Sequence, residues 1–259
     1  MEVANPSRIG EILSAMNLEF NNNPEENKPL LDGVCPDCGD TGFKENPTSD
    51  GRRTVSPCSC RREAAIRAAV GEHFYEKSKT FDSYELRSPS QARALEKIKS
   101  NPDGSHLLWG DHGVGKTHLL ACQYSWAMHN RPAKSCMFVS DTDIAESIMA
   151  SIKDSAKAPI LSPDWIKKCD SGFHIFIREF GKTIWRPIIQ EHLFAIIDAI
   201  YNRWSSGNTK FGLSLATNEP PDIIAKTLDD LAPGYGFGGG LMRRIGEMTG
   251  GGMEVREDK

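Results

Sequence analysis

Residues 106–117 read His106-Leu-Leu-Trp109-Gly110-Asp-His-Gly113-Val114-Gly115-Lys116-Thr117, and the fold turns on how they are interpreted. From Gly110 onward they satisfy G-x-x-x-x-G-K-[ST] at every required position, after a short apolar strand candidate and before the helical run HLLACQYSWAM. A phosphate-binding loop needs that strand-loop-helix setting. Its glycines let backbone N–H groups converge on phosphate oxygens at a helix N-terminus, where the helix dipole also favours an anion. Lys116 is placed to reach the β- and γ-phosphates, and the Thr117 hydroxyl to ligate Mg2+. Gly110, Gly113, Val114, Gly115 and His118 complete the set expected around ATP.

Further apolar segments of strand length occur at Cys136–Val139, Phe173–Ile177 and Leu213–Ala216, each separated from the next by a plausible helix. Such alternation predicts an α/β domain around a parallel sheet. The string FAIID ending at Asp198 has the look of a strand closed by an acid. However, Leu193, Ile196, Ile197, Ile200, Tyr201 and Trp204 fall at helical spacing, so a helix is expected there. The glycine-rich stretches at Gly234–Gly240 and Gly250–Gly252 read as flexible loops.

A P-loop ATPase usually ends a later strand with two acids, one serving the metal shell and one orienting water. Here Phe173–Ile177 is followed by Arg178 and Glu179, so Glu179 stands where the second acid is wanted and Arg178 replaces the metal-shell aspartate. A cation at that position repels the metal. Glu179 is therefore the only local acid, and hydrolysis is expected to be slow or impaired even though ATP binds.

Four of the seven cysteines crowd one segment as Cys35-Pro-Asp-Cys38 and Cys58-Ser-Cys60, while Cys122, Cys136 and Cys169 lie scattered in apolar surroundings. Two close thiolate pairs can close a tetrahedral Zn2+ shell of structural type, with no open position for catalysis. His73 is near enough in sequence to replace one ligand, and ordinary reduced thiols are the competing reading. Upstream, Ile9, Ile12, Leu13 and Met16 give residues 7–20 an amphipathic helical pattern, and NNNPEENKP at 21–29 has linker composition. From Arg61 to about Lys77 the pattern is again helical.

The stretches LLWGDHGVGKTHLL, VCPDCGDTGF and KTFDSY together resemble AAA+ replicative-helicase loaders of the DnaC/DnaI type from bacteria and phages, over roughly residues 33–250. The resemblance implies a two-module chain. Residues 1–78 would form a zinc-binding, helicase-interacting helical module, and residues 79–259 an AAA+ domain with a central parallel five-stranded sheet. Only fifteen residues follow Arg244, which implies no C-terminal lid. By the same resemblance Asn218 matches a sensor aimed at the γ-phosphate, or serves as a turn residue. Arg244 matches an arginine finger acting on a neighbouring subunit's nucleotide, or is half of a solvated Arg243-Arg244 pair. Phe81 matches the aromatic packed near adenine, or is a core side chain. The implied action is loading a hexameric replicative helicase onto single-stranded DNA, with self-association through ATP-bridged interfaces. A transposase-assisting AAA+ ATPase and a non-hydrolysing nucleotide- and zinc-binding adaptor are the rival readings.

Composition limits these possibilities. A net charge of −4 gives no global attraction to nucleic acid, so any DNA contact must be local. Residues 51–99 hold eleven Lys or Arg against six acids, which is either a phosphate-binding face or a solvated helix surface. The resemblance also implies a DNA-contacting insertion after the second strand, in or near residues 141–170, where Lys153, Lys157, Trp165, Lys167 and Lys168 supply charge and one stacking platform. No apolar run approaches the ~20 residues of a membrane span, and the N-terminus lacks the pattern of a secretory signal; both lead to the expectation of a cytoplasmic protein.

Overall fold

The structure is a computed structural model that describes residues 35–47, 53–71, 75, 80–131, 135–154, 158–170, 172–182, 187–208, 210–231, 233–234 and 236–257. The amphipathic pattern at 7–20, the linker at 21–29, Arg52, His73 and Lys157 lie outside them. Contacts divide the chain into two units, Met1–Tyr75 and Glu76–Lys259.

In the first unit, an antiparallel hairpin of β1 (Phe43–Pro47) and β2 (Arg53–Pro57) precedes helix α1 (Ser59–Val70). The helix is shorter than its sequence pattern, because Gly71 at φ 85° closes it with a backbone N–H to Arg67 O. Glycine adopts that conformation without a Cβ penalty, which is why it ends helices.

The second unit follows the alternation read from sequence. A turn at Phe81–Ser83 leads to α2 (Pro89–Ser100), β3 (Leu107–Trp109), α3 (Lys116–Asn130), β4 (Ser135–Ser140), α4 (Asp141–Lys153), α5 (Pro163–Lys168), β5 (Phe173–Phe180), α6 (Pro187–Ser205), β6 (Gly212–Thr217), α7 (Pro221–Leu231), α8 (Phe237–Thr249) and β7 (Gly252–Glu254). The strands form one parallel sheet in the order β4-β5-β6-β3-β7. Crossover helices cover such a sheet on both faces, so its strands are buried and apolar throughout. Phe173, Ile175, Phe176, Leu213 and Leu215 are accordingly buried. Residues 187–205 are indeed helical, with Leu193, Ile196, Ile197 and Ile200 buried on one face.

Local sequence sets the helix starts. Ser88 caps α2 by accepting from the Gln91 N–H, with Pro89 at the first position, where its missing N–H costs nothing. Ser140 and Asp143 form a reciprocal capping box on α4. Two expectations need correction. Gly236 and Gly250 cap the two ends of α8, so residues 237–240 are helix rather than loop. Gly252 opens β7, whose register pairs Leu107 with Gly252 and Trp109 with Glu254. Glycine supplies no strand signal, so this edge exists through pairing with β3 alone. Among the described residues no helix is long and apolar enough to cross a membrane.

Candidate functional site

The loop between β3 and α3 is shaped by its neighbours as much as by its own sequence. Gly110 has φ 140°, and a Cβ there would overlap the carbonyl oxygen of Val255, just beyond β7. Gly115 has φ 86° and caps α3, and a Cβ there would overlap the Tyr84 hydroxyl. Only glycine fits either place. Gln91 Nε2 donates to Val114 O at 3.1 Å, tying the loop to α2. Val255 N–H donates to Trp109 O at 2.8 Å, which holds the other side.

Lys116 is only 6% exposed, and its Nζ donates to Gly110 O at 2.8 Å and Asp111 O at 2.6 Å. The ammonium therefore lies folded across the loop it belongs to. Burial lowers its pKa and the nearby Asp111 opposes that shift. Thr117 and His118, both half-buried, begin the helix, and the His118 ring meets Tyr84 edge-on at 5.0 Å. Burial raises the Tyr84 phenol to about 12, and its hydroxyl has no hydrogen-bond partner among the described residues. Phe81 is buried in a cluster with Tyr84, Leu108, Val114, Leu119 and Val255, directly behind the loop.

Adjacent strand ends carry the other candidates. Because Trp109 pairs with Thr217, the residues that follow each strand lie side by side, and Asn218 Nδ2 is 3.2 Å from His112 Nε2. Two strands from β3, the β5–β6 register shifts between Ile177 and Phe180, so Arg178 and Glu179 sit on a bulge. Glu179 has φ 57°, a left-handed conformation unusual for a side chain with a Cβ. The turn is fastened from below: the Lys182 N–H donates to Glu179 O at 3.1 Å and to Asp141 Oδ2 at 2.9 Å. Asp141, at the start of α4, is buried. Lys182 Nζ lies 3.2 Å from Glu179 Oε1, and Arg178 Nε is enclosed without a partner among the described residues.

Arg244 is placed elsewhere, in a setting made by α6 and α8. Its Nε donates to Asp198 Oδ1 at 2.8 Å, Nη1 donates to Gly240 O at 3.1 Å, and the guanidinium lies 4.7 Å from the centre of the Phe194 ring. Its neighbour Arg243 is exposed and pairs with Glu247 at 2.6 Å.

In the first unit, the sulfurs of Cys35, Cys38, Cys58 and Cys60 all lie within 4.8 Å of one another, with Cys35–Cys58 at 3.9 Å and Cys38–Cys60 at 3.5 Å. A tetrahedral zinc with Zn–S bonds of about 2.3 Å needs S–S edges of roughly 3.8 Å, so the donor set fits that ion. Cys58 caps α1 and its thiol is drawn down to about 7, chiefly by the Cys60 backbone N–H, whereas burial pushes Cys60 upward. The tight turn at 35–40 is fixed by Gly39 N–H to Cys35 O and by Cys35 N–H to Asp40 Oδ1.

Sequence reading passed over His112, Tyr84, Gln91 and Asp141 as functional side chains. His112 occupies a variable position of the loop motif, and Tyr84 lay unremarked inside KTFDSY. Neither gains meaning until strand order places it.

A parallel sheet in this order, with a lysine-bearing loop at the end of its fourth strand, defines a P-loop nucleotide-binding domain of the AAA+ class. The chain belongs to the bacterial DnaA ATPase domain family, whose sequence model matches residues 76–221. Its fold is similar to that of the DnaC helicase loader (TM-score 0.52, 17% identity, covering 72% of this chain and 100% of that one). It is also similar to DnaI (TM-score 0.51, 15% identity, 68% and 90% covered). A third similar structure is the replication initiator DnaA bound to AMPPCP and single-stranded DNA (TM-score 0.50, 17% identity, 70% and 50% covered). The chain spans about half the length of that initiator and of the Aquifex aeolicus DnaA structure that it also matches.

Proposed function

We propose that this chain binds ATP and, in that state, assembles to load a hexameric replicative helicase onto single-stranded DNA. The observation that carries the reading is the joining, in one chain, of an AAA+ P-loop domain to a four-cysteine cluster with the geometry of a zinc site. In this reading residues 1–78 contact the helicase, residues 79–259 bind nucleotide, and the cysteines hold structural Zn2+. The likeness in fold to a helicase loader, and to an initiator solved with an ATP analogue and single-stranded DNA, supports it.

Lys116 leaves its two carbonyl acceptors and turns to the β/γ-phosphates, which offer a full negative charge in place of two peptide dipoles. Mg2+, held by Thr117 together with the phosphates, would neutralise charge on the triphosphate. Asn218 reads the terminal phosphate, and Glu179 orients the attacking water from its bulge. Arg244 acts on a neighbouring copy's nucleotide after exchanging Asp198 for the phosphate, while Phe81 supports the adenine pocket from the core. Arg178 stands where the metal-shell carboxylate is wanted, so turnover is slow and the domain works chiefly as an assembly switch.

Capture of the hexameric helicase from the protein's own source, by the full chain and in the presence of ATP, is the deciding experiment. Absence of that complex would overturn the loader reading, and capture of a transposase instead would transfer the chain to the transposase-assisting class. The enclosed Arg178 gives the adaptor reading its support. Turnover measured with and without single-stranded DNA separates the two: no turnover in either condition favours the adaptor, whereas brisk turnover lost in Glu179→Gln and untouched in Arg178→Ala would remove the case for impairment.

A further inference from the structure

We infer that His112, a variable position of the P-loop, is a second reader of the terminal phosphate, and that its contact with Asn218 is the element by which this site tells a nucleoside triphosphate from a diphosphate. The inference rests on the nucleotide-binding reading above and deepens it.

The geometry begins with strand order. β3 and β6 are neighbours with Trp109 opposite Thr217, so the chain leaves both strands at the same level, and the loop and Asn218 face each other across that edge. His112 is exposed at the loop's outer turn, unlike the buried Lys116, and its Nε2 reaches Asn218 Nδ2 at 3.2 Å. An amide NH2 only donates, so Nε2 accepts here and the imidazole proton resides on Nδ1. The same two residues suit an anion equally well. With the proton moved to Nε2, His112 becomes a donor, and the Asn218 NH2 is freed to donate beside it. A terminal phosphate entering between them gains two donors and replaces one neutral hydrogen bond with two charge-assisted ones.

Lys116 makes this distinction only in part. Its Nζ bonds Gly110 O and Asp111 O at the base of the loop, and from there it would reach the β-phosphate common to both nucleotides as well as the γ-phosphate. The other charged group on the loop is the exposed Asp111 carboxylate, which precedes His112. His112 thus belongs to the part of the site that only a triphosphate fills. In the diphosphate and nucleotide-free states the His112–Asn218 bond stays closed and Asn218 remains engaged.

Calorimetric titration of the full chain with Mg-AMPPCP and with Mg-ADP tests this in the wild type, His112→Ala, His112→Gln, Asn218→Ala and the double Ala variant. The expected result is about a tenfold loss of AMPPCP affinity in His112→Ala, the effect of one charge-assisted hydrogen bond, with ADP affinity within about twofold of wild type. The double variant should lose less than the sum of the two single losses, and His112→Gln, which keeps a donor, should recover part of the loss. Equal losses for both nucleotides, or unchanged AMPPCP affinity in His112→Ala while Lys116→Ala abolishes binding, would overturn the inference and leave the P-loop reading intact. A wild type that binds neither nucleotide would overturn both. Thermal unfolding of each variant identifies any that fail to fold, for which the Gln form carries the comparison.

Discussion

Gly110 and Lys116 show how a single residue here serves two masters. Gly110 must be glycine because Val255 O occupies the place of its Cβ, and the Lys116 ammonium is bonded to two carbonyls of its own loop, which in the proposed reading it exchanges for phosphate. Gly110→Ala is therefore expected to destabilise the second unit by about 1–3 kcal/mol and to weaken nucleotide binding, both readable by thermal unfolding with and without ATP. Asp141→Ala leaves the buried side of the Lys182 N–H without its side-chain acceptor and should cost roughly 1–3 kcal/mol, measured by denaturant titration. His106 gives a pH signature. Its ring is buried, with Nε2 2.9 Å from Asn101 O, and burial lowers its pKa below the ordinary 6.5. The unfolded chain then takes up a proton that the folded chain refuses, so stability is present above pH 6.5 and is lost as pH falls from there toward the lowered folded value. In His106→Gln the stability curve should be flatter between about pH 7 and 5, and an unchanged slope would remove His106 as the cause.

At the level of elements, the sequence spoke clearly wherever the signal was local. The P-loop, the paired cysteines and the 3.6-residue stripe from Leu193 to Ile200 each carry their message within a few residues, and each appears in the structure where the pattern places it. What escaped was non-local. β7 is three residues with no periodicity, made a strand by Leu107 and Trp109 across the sheet edge. The β5 strand candidate stopped at Ile177 because a bulge, set by the register with β6, carries Arg178 and Glu179 before pairing resumes at Phe180. Arg244 matched a motif, yet its bond to Asp198 depends on how α6 meets α8, which no local pattern encodes. Ser140→Ala tests an element of the legible kind: it removes the hydroxyl half of the α4 capping box, leaving the backbone N–H of residue 140 on the Asp143 carboxylate, and should cost about 0.5–2 kcal/mol by thermal unfolding.

The whole chain consists of two units with different sources of stability. The second has a sheet with apolar strands between helices, whereas the described residues of the first include a short hairpin, the helix α1 and four converging sulfurs. Four thiolates that converge on one ion make the free energy of binding that ion part of the folding free energy of the segment that carries them. Stripping metal with a strong chelator, or substituting Cys58→Ser, should unfold the region around residues 35–71 while nucleotide binding at the P-loop survives. Zinc release measured with a chromogenic chelator, followed by nucleotide titration of the same sample, checks both halves of that expectation. The sheet edge beside the P-loop has an optical consequence as well. The indole of Trp109 packs against Gly252, its carbonyl holds Val255, and Gly110 follows it in the chain. The nucleotide site thus carries its own fluorophore, so occupancy can be followed by intrinsic emission without a dye, with Trp109→Phe as the blank.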